Sequence, residues 1–207
     1  MQQSWRTATI RRTPFTCLTT RWGNFRMAGF ERPASGGCGL ETAVALIMGD
    51  LMRNAPLVRI HSQCFTGDVL GSRRCDCGDQ LELAMQSIAG ERRGLLIYEQ
   101  QEGRGIGLMA KLEAYSLQDE GLDTIAANHA LGFAADCRDF SFPAAILTDL
   151  GVSRVRLLSN NPDKTAALVR AGIDVAEQVA CEAVPSAHAL AYMRTKKERM
   201  GHILTLL

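Results

Sequence analysis

The hydrophobic pattern of this chain changes period at a loop that carries three cysteines, and that switch narrows the available folds more than any other feature. Before the loop, over residues 16–49, alternating or apolar runs are broken by turn residues: Trp22-Gly23-Asn24, then Pro33-Ala34-Ser35-Gly36-Gly37, then a run from Ala43 to Met48. This reads as antiparallel strands. A further strand over residues 57–61 leads into the cysteines. Beyond them Leu81, Ala84, Met85 and Ile88 fall on one helical face, residues 94–98 form a short buried strand, and Leu108, Leu112 and Tyr115 share a face of a second helix. A strand over residues 155–158 then meets Ser159-Asn160-Asn161-Pro162, where Asn161 suits an N-cap, Pro162 the first helical position and Gly172 the stop. Residues 173–180 read as a strand, and residues 187–200 as a final helix with a basic, exposed outer face. Antiparallel strands followed by strand-helix units predict an α+β, mixed α/β fold, with residues 1–15 as an N-terminal extension and residues 16–207 as a single domain.

Composition excludes several classes. With 207 residues, 46% of them hydrophobic, the chain can bury a substantial core. A formal net charge of +1 gives no broad cationic field for nucleic acid or an anionic membrane, so any phosphate recognition has to be local. The first residues lack an apolar signal core and no stretch approaches a membrane span, which predicts a cytoplasmic protein. Seven cysteines, an odd number, fit reduced thiols and a metal site better than a disulfide framework.

Ten residues separate Cys64 from Cys75 and one separates Cys75 from Cys77. Thiolates select zinc over magnesium or calcium. Structural zinc sites close with four ligands, whereas catalytic ones leave a position for water. Spacing alone leaves three readings open: an open catalytic zinc, a zinc closed by His61 or a distant residue, or reduced cysteines without metal.

Gly103, Gly105 and Gly107 flank Arg104 between a strand and a helix, where backbone amides can hold an anion and Arg104 can add bidentate contacts. Glu102 beside them is either a solvated carboxylate or a group that binds metal or reads donor edges of a base. Ser159 and Lys164 repeat the anion logic at a later helix start, although a lone lysine there also reads as a surface residue. Asp136, Cys137, Arg138 and Asp139 form a compact charged group whose plain account is an ion-pair network.

Taken in order, RIHSQCFTGD, RCDCGDQL, QEGRGIGL, KLEAYSLQDEGLDT, LGFAADCRDF, RLLSNNPDK and TKKERMGHIL make the chain resemble the GTP cyclohydrolase II family from about Trp22 to Leu204. The resemblance implies conversion of GTP to 2,5-diamino-6-(5-phosphoribosylamino)pyrimidin-4(3H)-one, formate and pyrophosphate, the first step of riboflavin biosynthesis, by a homodimer. It implies Cys64, Cys75 and Cys77 as ligands of a zinc whose water attacks C8, and magnesium on the triphosphate. Arg59, Ile60, His61, Ser62, Gln63, Gln80, Glu102, Gly103, Arg104, Thr124, Ser159 and Lys164 would contact GTP, and Tyr115 would assist ring opening. Asp136 matches a proton acceptor and Arg138 a nucleophile toward the α-phosphate. A guanidinium with a pKa above about 12 is a poor nucleophile and a good phosphate clamp, so clamping is the role expected of Arg138.

Gln63, Gln100 and Ala126 stand where the family often carries charge, each a charge lost near the expected site. Two other functions stay open: a relative that acts on another nucleotide or performs part of the reaction, and a non-catalytic protein that binds zinc and nucleotide. A zinc-ribbon module for nucleic acid would need a second Cys-x-x-Cys pair and interleaved basic and aromatic residues, which the sequence lacks.

Overall fold

A computed structural model describes residues 10–34, 39–184 and 189–206. The expected turn residues Ser35, Gly36 and Gly37, the expected helix start at Ala187, and residues 1–9 lie outside the described residues.

Local sequence explains the elements. Strand β1 (Arg11–Arg12) and β2 (Thr16–Thr20) both pair antiparallel with β3 (Gly23–Pro33), β1 opposite Phe30 and Glu31, β2 opposite its first half. Strand β3 pairs antiparallel with β4 (Leu40–Met48). After β5 (Leu57–Ser62) come α1 (Cys77–Glu91) and β6 (Gly94–Glu99); β6 is antiparallel to β4 and parallel to β5. Helices α2 (Leu108–Asp119), α3 (Thr124–Ala130) and α4 (Ser141–Asp149) precede β7 (Arg154–Leu158), which runs parallel to β5. Helix α5 (Pro162–Arg170) starts where expected: the Asn161 side chain accepts from Asp163 N, and Pro162 needs no hydrogen-bonded N–H. Strand β8 (Asp174–Val179) is parallel to β7, with an irregular register at Val155 and Arg156, and α6 (Leu190–Met200) follows.

The sheet order β1-β3-β4-β6-β5-β7-β8, with β2 also on β3, joins an antiparallel half to a parallel half in a mixed α/β fold. Alternation along β6 sends Leu95 and Ile97 to one face, where Phe142, Ile146 and Leu147 of α4 and Leu168 of α5 share their core. It sends Leu96 to the other face, onto Ala84, Met85 and Ile88 of α1. Covered on both sides, β5 and β6 are buried along almost their whole length, and β6 reads as a mostly apolar run. The carboxyl ends of β5, β6 and β7 lie on one edge of the parallel half, so the loops after Ser62, Glu99 and Leu158 emerge together, the usual place for a site in such sheets.

Helix α2 departs from expectation. Leu112 is 43% exposed, while Lys111 and Ala114 are buried and Tyr115 is half-buried. The interior that α2 faces is polar, and a lysine paired inside it displaces leucine from that face. No described helix is long and apolar enough to cross a membrane.

Close packing between β6, β5 and α1 sets one test of the fold. A Cβ at Gly94 would sit 2.6 Å from the Leu57 carbonyl and 3.0 Å from Ile88. Gly94→Ala is expected to lower the unfolding free energy by about 1–3 kcal/mol in urea titration.

Candidate active site

The loop after β5 turns the cysteines inward. Cys64 enters one π-helical turn, Phe65–Val69, and Cys77 opens α1. The Cys64 and Cys75 sulfurs lie 3.7 Å apart, and all three ligand atoms lie within 4.8 Å of one another. Tetrahedral zinc with bonds of about 2.3 Å places sulfurs about 3.8 Å apart, so the trio fits that ion. Gly67 makes the convergence possible, since a Cβ there would stand 3.1 Å from both the Cys64 and Cys75 sulfurs. Among the described residues no fourth His, Cys, Asp or Glu joins the group.

His61, one expected fourth ligand, is engaged elsewhere. Its Nε2 lies 3.2 Å from both Asp68 oxygens and its ring stacks on Tyr98. Burial holds His61 below its usual pKa despite Asp68. Asp68 also accepts from Cys64 N (2.9 Å) and from the Tyr98 hydroxyl (2.8 Å), which fixes the start of the loop.

Charge around the sulfurs is arranged asymmetrically. Thiol donors at Cys75 and Cys77 pull Cys64 far below the usual thiol range, and Lys111 Nζ, 3.2 Å from its sulfur, adds to the effect. The same contact with Cys64 pushes Cys75 up to about 11, and Cys77 also rises. Lys111 in turn donates to Glu102 Oε1 (2.7 Å), whose other oxygen accepts from Phe65 N (2.6 Å). Glu102 is therefore a buried clamp between the cysteine loop and the glycine segment rather than a solvated carboxylate.

The glycine segment forms a tight turn in which Gly103 and Arg104 both take left-handed backbone, φ 61° and 60°. For arginine that conformation is strained, and surrounding contacts hold it. Cys137 N donates to Arg104 O (3.0 Å), and a Cβ at Gly105 would stand 3.0 Å from the Cys137 backbone. The turn thus packs against residues 136–138 and delivers Arg104 and Arg138 to one place.

A cavity opens over the sulfurs, lined by Gln63, Glu102, Gly103, Tyr115 and Thr124 among others. The Tyr115 hydroxyl lies 3.2 Å from Thr66 Oγ1, and burial raises its pKa, so the phenol stays protonated at neutral pH. This thiolate lobe shares Ser62, Cys77, Arg104, Arg138 and Tyr192 with a second, cation-lined lobe. There Arg59, Lys164, Lys196, Arg104 and Arg138 converge with His61, Gln80 and Ser159. Lys164 Nζ donates to the Ile60 carbonyl (2.9 Å), and burial lowers its pKa well below normal. Arg59 donates to Gln80 Oε1 (2.7 Å), Gln80 to Asp76 Oδ2 (2.5 Å), and Lys196 to Asp76 Oδ1 (2.7 Å).

Buried polar atoms without partners concentrate in this lobe. They belong to Arg59, His61, Arg104, Asn161 and His202, all on its wall, with Glu99 the remaining case among the described residues. Buried polar groups are satisfied in finished structures, so this clustering marks a polar ligand's place.

Two expected site residues, Ile60 as a contact and Asp136 as a proton acceptor, stand behind the walls. Ile60 is fully buried and offers its carbonyl to Lys164. Asp136 lines neither lobe; it grips Arg138 through both oxygens, at 2.9 Å to Nε and 2.5 Å to Nη2. Burial opposes charge on Arg138, but Asp136 outweighs it and raises the guanidinium pKa. Of the three expected charge losses only Gln63 lies on a lobe; Gln100 binds Thr42 Oγ1 (2.6 Å) on the sheet, and Ala126 lies in the first turn of α3, off both walls. Sequence reasoning missed Asp76, Lys111, Tyr192, Lys196 and His202. The motif TKKERMGHIL held the last two, but helical periodicity on a basic segment reads as a solvated face.

Comparison with known proteins agrees with the motifs. The GTP cyclohydrolase II family model matches residues 11–180. Proteins named GTP cyclohydrolase-2 from Shigella boydii serotype 18 and Escherichia coli O9:H4 are each 50% identical over 196 residues, covering 94% of this chain and 98% of theirs. Among solved structures, a two-domain 3,4-dihydroxy-2-butanone 4-phosphate synthase from A. baumannii matches with TM-score 0.49 at 20% identity, covering 86% of this chain and 42% of that one.

Two outcomes test this geometry. Gly67→Ala is expected to lower zinc affinity about tenfold or more in competition with a chromophoric chelator, because the methyl group fills the space between the sulfurs. Burial raises the Glu99 carboxyl to about 7, above its unfolded value, so its contribution to stability is complete at low pH and is lost as pH rises through 7. Chemical denaturation should therefore show the Glu99→Gln protein gaining stability relative to the parent between pH 5 and pH 8, whatever the offset at pH 5.

Proposed function

This chain belongs to the GTP cyclohydrolase II family, and from that premise we propose that it is a zinc-dependent hydrolase converting GTP to 2,5-diamino-6-(5-phosphoribosylamino)pyrimidin-4(3H)-one, formate and pyrophosphate, the entry to riboflavin biosynthesis. One observation carries the reading: three convergent sulfurs, with no fourth His, Cys, Asp or Glu among the described residues, open directly onto a lobe lined by five arginine and lysine side chains. The first suits a heterocycle under hydrolytic attack and the second a polyphosphate.

Cys64, Cys75 and Cys77 would hold the zinc. When bound, zinc polarises water enough to make hydroxide available near neutral pH. Lys111 offsets the negative charge of the sulfurs and keeps Glu102 in place. Tyr115, protonated and facing the thiolate lobe, donates its proton to the guanine as the imidazole ring opens. Gln63, Glu102, Gly103 and Thr124 position the base, while Arg59, Ser159 and Lys164 bind phosphates alongside Arg104 and Arg138. Magnesium bound to the triphosphate would neutralise part of its charge, leaving the rest to the arginines and lysines of the lobe.

Arg138 acts as an α-phosphate clamp. To be a nucleophile it would have to lose a proton while both oxygens of Asp136 hold it charged. Asp136 orients the guanidinium and takes up a proton only after the arginine has shifted onto phosphate. The active form is a cytoplasmic homodimer, although both lobes are built within one chain.

Incubation of zinc-loaded protein with GTP and magnesium is expected to release formate and pyrophosphate in equal amounts, with Cys75→Ser inactive. Equal turnover by Cys75→Ser would overturn the metal-dependent reading, and formate without pyrophosphate would mark a partial reaction. In rapid-quench single turnover no phosphoguanidine is expected on Arg138; isolating that adduct would refute the clamp.

A further inference from the structure

Helix α6 lies more than a hundred residues from the cysteines in sequence, yet it forms part of the wall around the cationic lobe. Tyr192, Lys196 and His202 all line that lobe, and Tyr192 reaches the thiolate lobe as well. Two anchors hold the segment there: Lys196 Nζ donates to Asp76 Oδ1 (2.7 Å), and Ile203 N donates to the Asn160 carbonyl (3.0 Å). The Tyr192 ring lies beneath two cations, 4.8 Å from Lys196 Nζ and 5.4 Å from the Arg104 guanidinium. Lys196 is 8% exposed and Asp76 2%, so the ammonium is largely shielded from solvent and one carboxylate balances it. Arg59 shares that carboxylate indirectly through Gln80 and keeps a buried Nε without a partner. His202 keeps an unpartnered buried Nδ1, and burial beside these cations lowers its pKa to about 3, so the ring is neutral and free to hydrogen-bond. Together these groups make an excess of donors facing one lobe, more than Asp76 alone can satisfy.

We propose that Lys196 is a substrate-binding residue that grips the terminal phosphates of the nucleotide, with His202 on the same wall, so that helix α6 belongs to the polyphosphate site. This rests on the proposed GTP reading and adds a source of phosphate contacts beyond Arg59, Ser159 and Lys164. Lys196 has three donor protons, of which Asp76 takes one, leaving the others for phosphate oxygens. A merely structural lysine would tie α6 to Asp76 and affect every ligand equally. A phosphate-gripping one distinguishes ligands by the number of their phosphates.

Isothermal titration of the zinc-loaded chain with α,β-methylene-GTP and with GMP, each with magnesium, separates these. The parent is expected to bind the triphosphate analogue more tightly than GMP; if it binds neither, the GTP reading itself fails. Lys196→Met is expected to weaken the triphosphate analogue about tenfold to a hundredfold while GMP changes less than about twofold, and Lys196→Arg is expected to recover most of the loss. Arg194→Met, an exposed site on the same helix, controls for overall charge. Equal weakening of both ligands, or no weakening of either, overturns the proposal. Should Lys196→Met lose its cooperative melt, His202→Gln decides, because it leaves the Asp76 bridge intact: a selective loss of about twofold to fivefold for the triphosphate supports the site, and an unchanged ratio overturns it.

Discussion

A single buried carboxylate, Asp76, ties the site together. It sits in sequence between two of the cysteines, and its oxygens accept from Gln80 and Lys196. Through Gln80 it also orients Arg59 on β5. Burial is the largest single influence and would favour the neutral acid, but the charge and hydrogen bond of Lys196, a backbone hydrogen bond and the Arg59 charge together outweigh it and keep the Asp76 pKa below normal. Buried ion pairs gain little net stability over apolar packing, whereas removing one partner is costly. What such a pair supplies here is geometry: the cysteine loop, the start of α1 and the C-terminal helix meet at one side chain, and β5 is joined to it through Gln80.

Beside it, a second clamp acts on the opposite side of the sulfurs. Glu102 joins the glycine turn, the Phe65 amide and Lys111, and Lys111 touches the Cys64 sulfur. The two clamps share a design in which a carboxylate from one loop is satisfied by a lysine from a later helix. Both lysines are oriented by the protein before any ligand arrives, which reduces the reorganisation needed as charge changes during reaction.

Those clamps also mark the limit of what the sequence shows. Strands and helices with one apolar face were legible, because alternation in β3 and β4 and the Leu81-Ala84-Met85-Ile88 stripe of α1 report burial directly. So was the start of α5, since Asn161 and Pro162 act within their own turn. The convergence of Cys64, Cys75 and Cys77 was legible because all three lie in one loop. Lys111 and Lys196 were not, because each is buried by partners 9 to 120 residues away, and a lysine on a polar helix reads as solvated until those partners are in place. Leu112 failed for the converse reason: α2 turns its lysine inward and leaves the leucine outside. Gln100 and Ala126, near the site in sequence, prove to be off its walls in space.

The margin of the sheet at β8 has a bearing on solubility. Strand β8 ends the strand order, and a long flat strand in that position would invite hydrogen bonding from a neighbouring molecule. Here the pairing with β7 is distorted at Val155 and Arg156, and exposed Asp174 and Glu177 carry negative charge along the strand, tied to Arg154 and Arg156. The irregular register and the cost of desolvating these ion-paired side chains therefore discourage edge-to-edge stacking of copies, so that a concentrated solution of this protein is guarded against fibrillar association on that side.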